Sequence, residues 1–130
     1  MLTGLEYTAL DYARAMVAKR RWRATLAQCF AGVDVLLSPT VPVFTPPLGD
    51  TRSLGEATRA ASRNTYNGAF GEIPGLSLPC GFTSDGLPVG VQLEAAWWQE
   101  PLLLRAGVAY QSATDWHRAR PPLDLDDDEL

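Results

Sequence analysis

The stretch Ile73-Pro74-Gly75-Leu76-Ser77-Leu78-Pro79-Cys80-Gly81-Phe82, then Thr83–Pro88 and Val89-Gly90-Val91-Gln92-Leu93, decides the fold. Leu76, Leu78, Cys80 and Phe82 recur at every second position, and so do Val89, Val91 and Leu93. Alternate side chains of an extended chain share a face, so each run predicts a strand with one apolar side. Asp85-Gly86 between them supplies a glycine where a tight connection needs positive φ, which predicts a hairpin. The other side of the first run carries only Gly75, Ser77, Pro79 and Gly81, small enough for another layer to approach closely. Pro79 has no N–H for a ladder, which places it at a bulge or on an unpaired strand side.

Working outward, residues from Thr3-Gly4-Leu5-Glu6 to about Ala31 read as one long helix. Thr3 and Glu6 have capping-box spacing, and Tyr12, Met16, Trp22, Leu26, Cys29 and Phe30 recur at helical intervals. Gly32 suits the left-handed residue after a helix. Val33–Ser38 reads as a strand buried on both faces, ended by Pro39. Prolines 39, 42, 46 and 47 then stiffen an extended segment. That segment suits the wall of a pocket at the strand's carboxyl end better than a ligand for proline-binding domains. Ser53 and Glu56 repeat the capping box and open a helix to about Thr65, broken at Asn67-Gly68, with a further turn at Ala69–Gly71. Pro101 suits a helix's first turn, and the helix from Pro101 to about Trp116 turns Leu103, Gly107 and Tyr110 toward the sheet. The predicted order is α-β-α-β-β-α, with the first two strands parallel and a helix between them.

These segments closely resemble the C-terminal part of the amidase-signature hydrolases, a family that includes the glutamine amidotransferase A subunits. Pro74–Phe82 with Gly86–Leu93 carries the likeness. Val33–Pro42 resembles the family's strand-and-proline loop, and Glu100–Tyr110 has Leu102, Leu103, Leu104, Arg105 and Tyr110 at familiar offsets. The likeness runs from about Gly4 to Leu123. It departs from the pattern where the family has a Phe-Asn pair and a Gly; Gly68-Ala69 and Glu72 stand there instead. The resemblance implies an α/β fold: a short mixed sheet with a β-hairpin covered by helices, forming one segment over 1–123. It also implies a part in hydrolysing carbon–nitrogen bonds.

In that family two serines and a lysine act as nucleophile and base beside a Gly/Ser-rich loop. No such run exists here, and Lys19 is the only lysine, inside the first helix. No catalytic residue is therefore carried over. The chain resembles roughly the last quarter of an amidase, whose remainder, in the same gene product or a neighbouring chain, is the expected partner. A non-catalytic, amidase-derived interaction or scaffold module is the alternative. Ser38 and Thr40 at the end of a strand, and Asn64 and Thr65, are the candidate substrate-binding residues. Cys80 on the apolar face reads as a packed thiol rather than a nucleophile. His117, the sole histidine, reads as a surface group beside Arg118 and Arg120, and Asp34 as a strand-entry residue. No cofactor or metal is expected from one histidine and two separated cysteines.

The net charge of −4 comes from a tail: Asp124, Asp126, Asp127, Asp128 and Glu129 leave 11 bases against 10 acids in the rest. A block of this kind reads as a solvated, disordered end over 124–130. The basic run Lys19-Arg20-Arg21, with Arg23, reads as a wet helix face whose stems cover apolar surface, not as a nucleic-acid patch. Two unpaired-looking cysteines, no leader and no apolar run of about 20 residues point to a cytoplasmic chain that does not cross a membrane. Cut from a larger sheet, its edges would be unpaired, so a homodimer or larger association through the sheet edge is expected.

Overall fold

In the computed structural model, which describes residues 4, 6–43 and 54–121, the two runs around Asp85-Gly86 pair as antiparallel strands. They are β2, Gly75–Phe82, and β3, Pro88–Ala95. The turn closes through the Gly86 N–H on the Thr83 carbonyl (3.0 Å), the Thr83 N–H on the Leu87 carbonyl (2.8 Å) and the Leu87 N–H on Thr83 Oγ1 (3.1 Å). Gly86 has φ 80°, where a Cβ would be strained. Pro79 faces Gly90 and Gly81 faces Val89, so Cys80 is the extra residue of a bulge. The insertion breaks the expected row. Leu76 and Leu78 pair with Leu93 and Val91, but Phe82 pairs with Pro88 and is 50% exposed, its ring edge-on to Trp116 at 6.1 Å.

A third strand, β1 (Val35–Pro39), lies on the far side of β3 and is antiparallel to it, giving the order β1-β3-β2. The first two strands therefore run in the same direction, as expected, with β3 between them. Both pairings of the expected mixed sheet are antiparallel. β1 is also not buried on both faces: as an edge strand it leaves Leu37 72% exposed.

The described residues form four α-helices beside this sheet. α1, Ala9–Cys29, is capped by Thr8, whose side chain accepts from the Asp11 N–H while Asp11 accepts from the Thr8 N–H. The capping box thus lies later than Thr3 and Glu6. Gly32 is not left-handed; Phe30 closes the helix in right-handed geometry. Only the second half of α1 is packed, at Leu26, whereas Tyr12, Met16 and Cys29 are exposed. The helix expected to Thr65 is two: α2, Leu54–Ala61, and α3, Thr65–Gly71, split at Ser62–Asn64 so that Asn67-Gly68 lies inside α3. Thr3, Ser53, Pro46, Pro47 and the acidic stretch 124–130 lie outside the described residues.

α4, Glu100–Ala113, with Pro101 in its first turn, covers the apolar face of the hairpin; a 3₁₀ turn, Trp116–Arg118, follows where the helix was expected to continue. Leu103 (3% exposed) and Gly107 are buried against Leu78, Leu93 and Ala95, with Leu76, Val91 and Tyr110 around them. A Cβ at Gly107 would stand 2.8 Å from Leu76 Cδ2, so the missing side chain sets how closely α4 lies on the sheet. Among the described residues no helix is long and apolar enough to cross a membrane.

Candidate functional site

The face of the sheet away from α4 is polar. Pairing puts Ser38 opposite Gln92, Leu36 opposite Glu94, and Ser77 on the other side of Gln92. Just past β1, the Thr40 N–H donates to the Gly90 carbonyl at 2.9 Å. Thr40 Oγ1 and Ser77 Oγ then meet at 2.7 Å across the middle strand. A Cβ on Gly90 would lie 3.0 Å from the first oxygen and 3.4 Å from the second, so a glycine there lets the two hydroxyls close. The outer strands are thereby joined by side chains above β3.

Asn64 Nδ2 donates to the Pro39 carbonyl at 2.6 Å, tying the α2–α3 turn to the end of β1. Thr65 opens α3 and its Oγ1 donates to the Ser62 carbonyl at 3.0 Å. Between α3 and the sheet lies an open cleft of about 370 Å³, lined by Thr40, Thr65, Gly68, Ser77, Gln92 and Glu94 among others. Of the four residues expected from sequence, Thr40 and Thr65 line it. Asn64 braces its border through Pro39, and Ser38 sits in β1 paired with Gln92. A second cleft, about 350 Å³, lies where the proline segment was expected to form a wall, with Pro39, Val41 and Pro42 facing Leu87, Pro88 and Val89.

Gln92 and Glu94 were not among the expected site residues. Glu94 is 8% exposed. Burial raises its carboxyl above the usual glutamate range, and a hydrogen bond with Gln92 offsets part of that rise. Its carboxyl occupies space that a side chain on Gly68 would need: a Cβ there would fall 2.1 Å from Glu94 Oε1. The sequence signal was the alternation Gly90, Gln92, Glu94, which sets polar groups on one side of an otherwise apolar strand.

α3 is held over the cleft by a second cluster. Glu72, the residue after α3, is left-handed (φ 58°, ψ 40°). Its N–H donates to the Ala69 carbonyl at 3.4 Å, and the Ile73 N–H to the Gly68 carbonyl at 3.2 Å. Glycine ordinarily takes this position. Here the Glu72 carboxylate is paired with Lys19 and Arg23 of α1, which hold it below the usual glutamate range, the Lys19 hydrogen bond most. Trp22 Nε1 donates to the Asn67 carbonyl and Trp97 Nε1 to the Gly71 carbonyl, both at 3.0 Å. The Arg23 guanidinium lies 4.8 Å from the centre of the Trp97 ring. Lys19 and Arg23 are thus not simply a wet face; they fasten α1 to α3.

Cys80 is a half-buried free thiol at the bulge. His117 is half-buried rather than a surface group, with Nδ1 shut away from solvent and unpartnered. Among the described residues no hydrogen bond joins the two, and no three His, Cys, Asp or Glu side chains gather in a metal-sized group.

The sequence profile of the amidase family, described simply as Amidase, matches residues 2–104. The glutamyl-tRNA(Gln) amidotransferase A subunit of Azotobacter vinelandii is 41% identical over 110 residues, covering 85% of this chain and 23% of that protein. Its counterpart in Gloeothece citriformis is 36% identical over 112 residues, covering 86% and 23%. Among solved structures, 6-aminohexanoate cyclic dimer hydrolase in complex with substrate superimposes with a TM-score of 0.78. It is 28% identical, with 88% of this chain and 27% of that chain covered. The chain thus spans about a quarter of the length of the relatives it matches.

Proposed function

Because this chain belongs to the amidase family, we propose that it is the C-terminal portion of an enzyme hydrolysing carbon–nitrogen bonds of small-molecule amides. Its serine and lysine catalytic groups would lie in the remainder of that enzyme, outside these 130 residues. The match over 2–104, in a chain spanning 23% of its curated relatives, is the observation that carries this reading. The chemistry of this chain agrees with it. Serine-based amide cleavage needs an activated nucleophile and a base within hydrogen-bond reach. The only lysine here is engaged with Glu72, far from a serine role, and Thr40 and Ser77 hydrogen-bond each other rather than a base. What the chain supplies is one wall of a substrate site: the hydroxyl-lined cleft under α3, with Thr40 and Thr65 at its surface, Asn64 bracing it and Ser38 in the adjoining strand.

The test is reassembly. Co-expression with the remaining, serine-bearing portion of an amidase should give ammonia release from simple amides, and neither piece alone should do so. Hydrolysis by the 130-residue chain alone, lost in Cys80→Ser, would place the nucleophile here and overturn the reading.

A further inference from the structure

Glu94 is an acid placed where the rest of the fold gives it little to do. It lies mid-face in the central strand, with β1 and β2 on either side and α3 above, and it is 8% exposed. Of the charged groups beside α3, Glu72 has its counter-charges, in Lys19 and Arg23. Glu94 has no ion-pair partner among the described residues, only the neutral Gln92. Buried charges are ordinarily paired or bound to a ligand, because an unpaired one is costly. The residue above it is Gly68, whose missing side chain gives the carboxyl its space. The other polar groups of the cleft, Thr40, Ser77 and Thr65, already use their hydroxyls on each other or on the Ser62 carbonyl. Among the described residues the cleft therefore offers one strong acceptor without a cationic partner, the Glu94 carboxyl, in a lining that also carries the hydroxyl oxygens of Thr40, Thr65 and Ser77, which can accept further hydrogen bonds.

We propose that Glu94 is a specificity residue, and that the cleft under Gly68 takes a cationic nitrogen group, an ammonium or amidinium, carried by the amide substrate. This rests on the cleft being the chain's share of a substrate site. A bound cation gives the buried carboxylate its missing counter-charge, and hydrogen bonds from a cation to a carboxylate are about twice as strong as neutral ones. Neutral amides of the same size gain nothing comparable. The substrates so selected are amides bearing a protonated amine or amidine beyond the scissile bond.

Binding of a probe tests this without any catalysis, so failure here and failure of reassembly are separate outcomes. n-Butylamine, an ammonium ion at neutral pH, is titrated into the 130-residue chain by ligand-observed saturation-transfer NMR, with butanamide as the neutral match. Saturable binding of the ammonium is expected, at least about tenfold tighter than butanamide, a difference worth one charged hydrogen bond. Glu94→Gln should remove that preference, and Glu100→Gln, at the exposed start of α4, should keep it. Equal affinity for the two probes in the unaltered chain, or an ammonium preference that survives Glu94→Gln, overturns the proposal. The first comparison needs no variant, so a Glu94→Gln chain that fails to fold does not spare it.

Discussion

Two glutamates on either side of α3 respond to pH with opposite sign. Glu94 has its carboxyl raised by burial, so its folded-state value stands above the 4.5 of an ordinary glutamate. Its contribution to stability is complete below that ordinary value and is lost as pH rises through the raised one. Glu72 is held low by Lys19 and Arg23; its contribution is present above 4.5 and is lost as pH falls through the lowered value. Thermal melts should show Glu94→Gln gaining on the parent chain as pH climbs above 4.5, whereas Glu72→Gln should trail the parent by a constant margin there and close that gap as pH falls below 4.5. Identical pH profiles for the two variants would refute this assignment. Glu72 also separates two costs at one position. Glu72→Ala loses the ion pairs and keeps a side chain in left-handed backbone, whereas Glu72→Gly loses the same pairs and relaxes the backbone. The glycine variant should therefore melt several degrees above the alanine variant, in high salt as well as low, because the backbone term is not screened. Glu72 was visible in the sequence as a departure from a glycine, but its charge partners on α1 were not, since only the fold brings Lys19 to it.

The elements that were legible in the sequence are those whose signals are local. The β2–β3 turn follows from Asp85-Gly86, and α4 from Pro101 and the spacing of Leu103, Gly107 and Tyr110. The elements misread are those decided by distant neighbours. α3 starts at Thr65 because Asn64 reaches across to the Pro39 carbonyl, a contact no helical periodicity encodes. Pro79 was read as standing at a bulge or on an unpaired strand side; the bulge falls beside it at Cys80, and its effect on Phe82 was not legible, because one inserted residue changes which partner every later residue meets. The site was half legible on the same grounds. Thr40 and Thr65 border the cleft through element ends, whereas Glu94 acquires its role only when Gly68 is folded over it. Packing of α4 on the hairpin can be tested from both sides. Leu103→Ala should cost about 3 kcal/mol in denaturant unfolding, as a buried leucine removed from a core. Gly107→Val should cost about 2 kcal/mol by wedging the helix off Leu76. A near-neutral Gly107→Val would mean that α4 is free to slide outward.

At the scale of the whole chain, apolar side chains lie open on several sides of a small core. Leu37 on the edge strand and Trp98 before α4 are 72% and 85% exposed, and Leu104, Val108, Leu10 and Tyr12 are exposed on the helices. Among the described residues the buried core cluster is Leu78, Leu93, Ala95 and Leu103. Sequence patterning placed Leu37 in a strand buried on both faces, because patterning reports what a residue meets in the complete fold and this chain spans about a quarter of its relatives. Among the described residues β1 pairs with a strand on one side only, so its other side, beside Leu37, is a template for another strand. Strand addition at β1 should therefore make the isolated chain associate, and sedimentation velocity should show mass rising with concentration. Leu37→Lys puts a charge on that edge without touching the α4 core, since Leu37 is outside the buried cluster. It should return the chain toward monomer with its melting temperature nearly unchanged. If the parent chain sediments as a monomer at high concentration, the β1 edge is not adhesive. If Leu37→Lys leaves the association intact, the contact lies instead on the open helix faces at Leu10 and Val108. In the reassembled enzyme the same edge should be occupied, and Leu37→Lys should then weaken the joining of the two pieces.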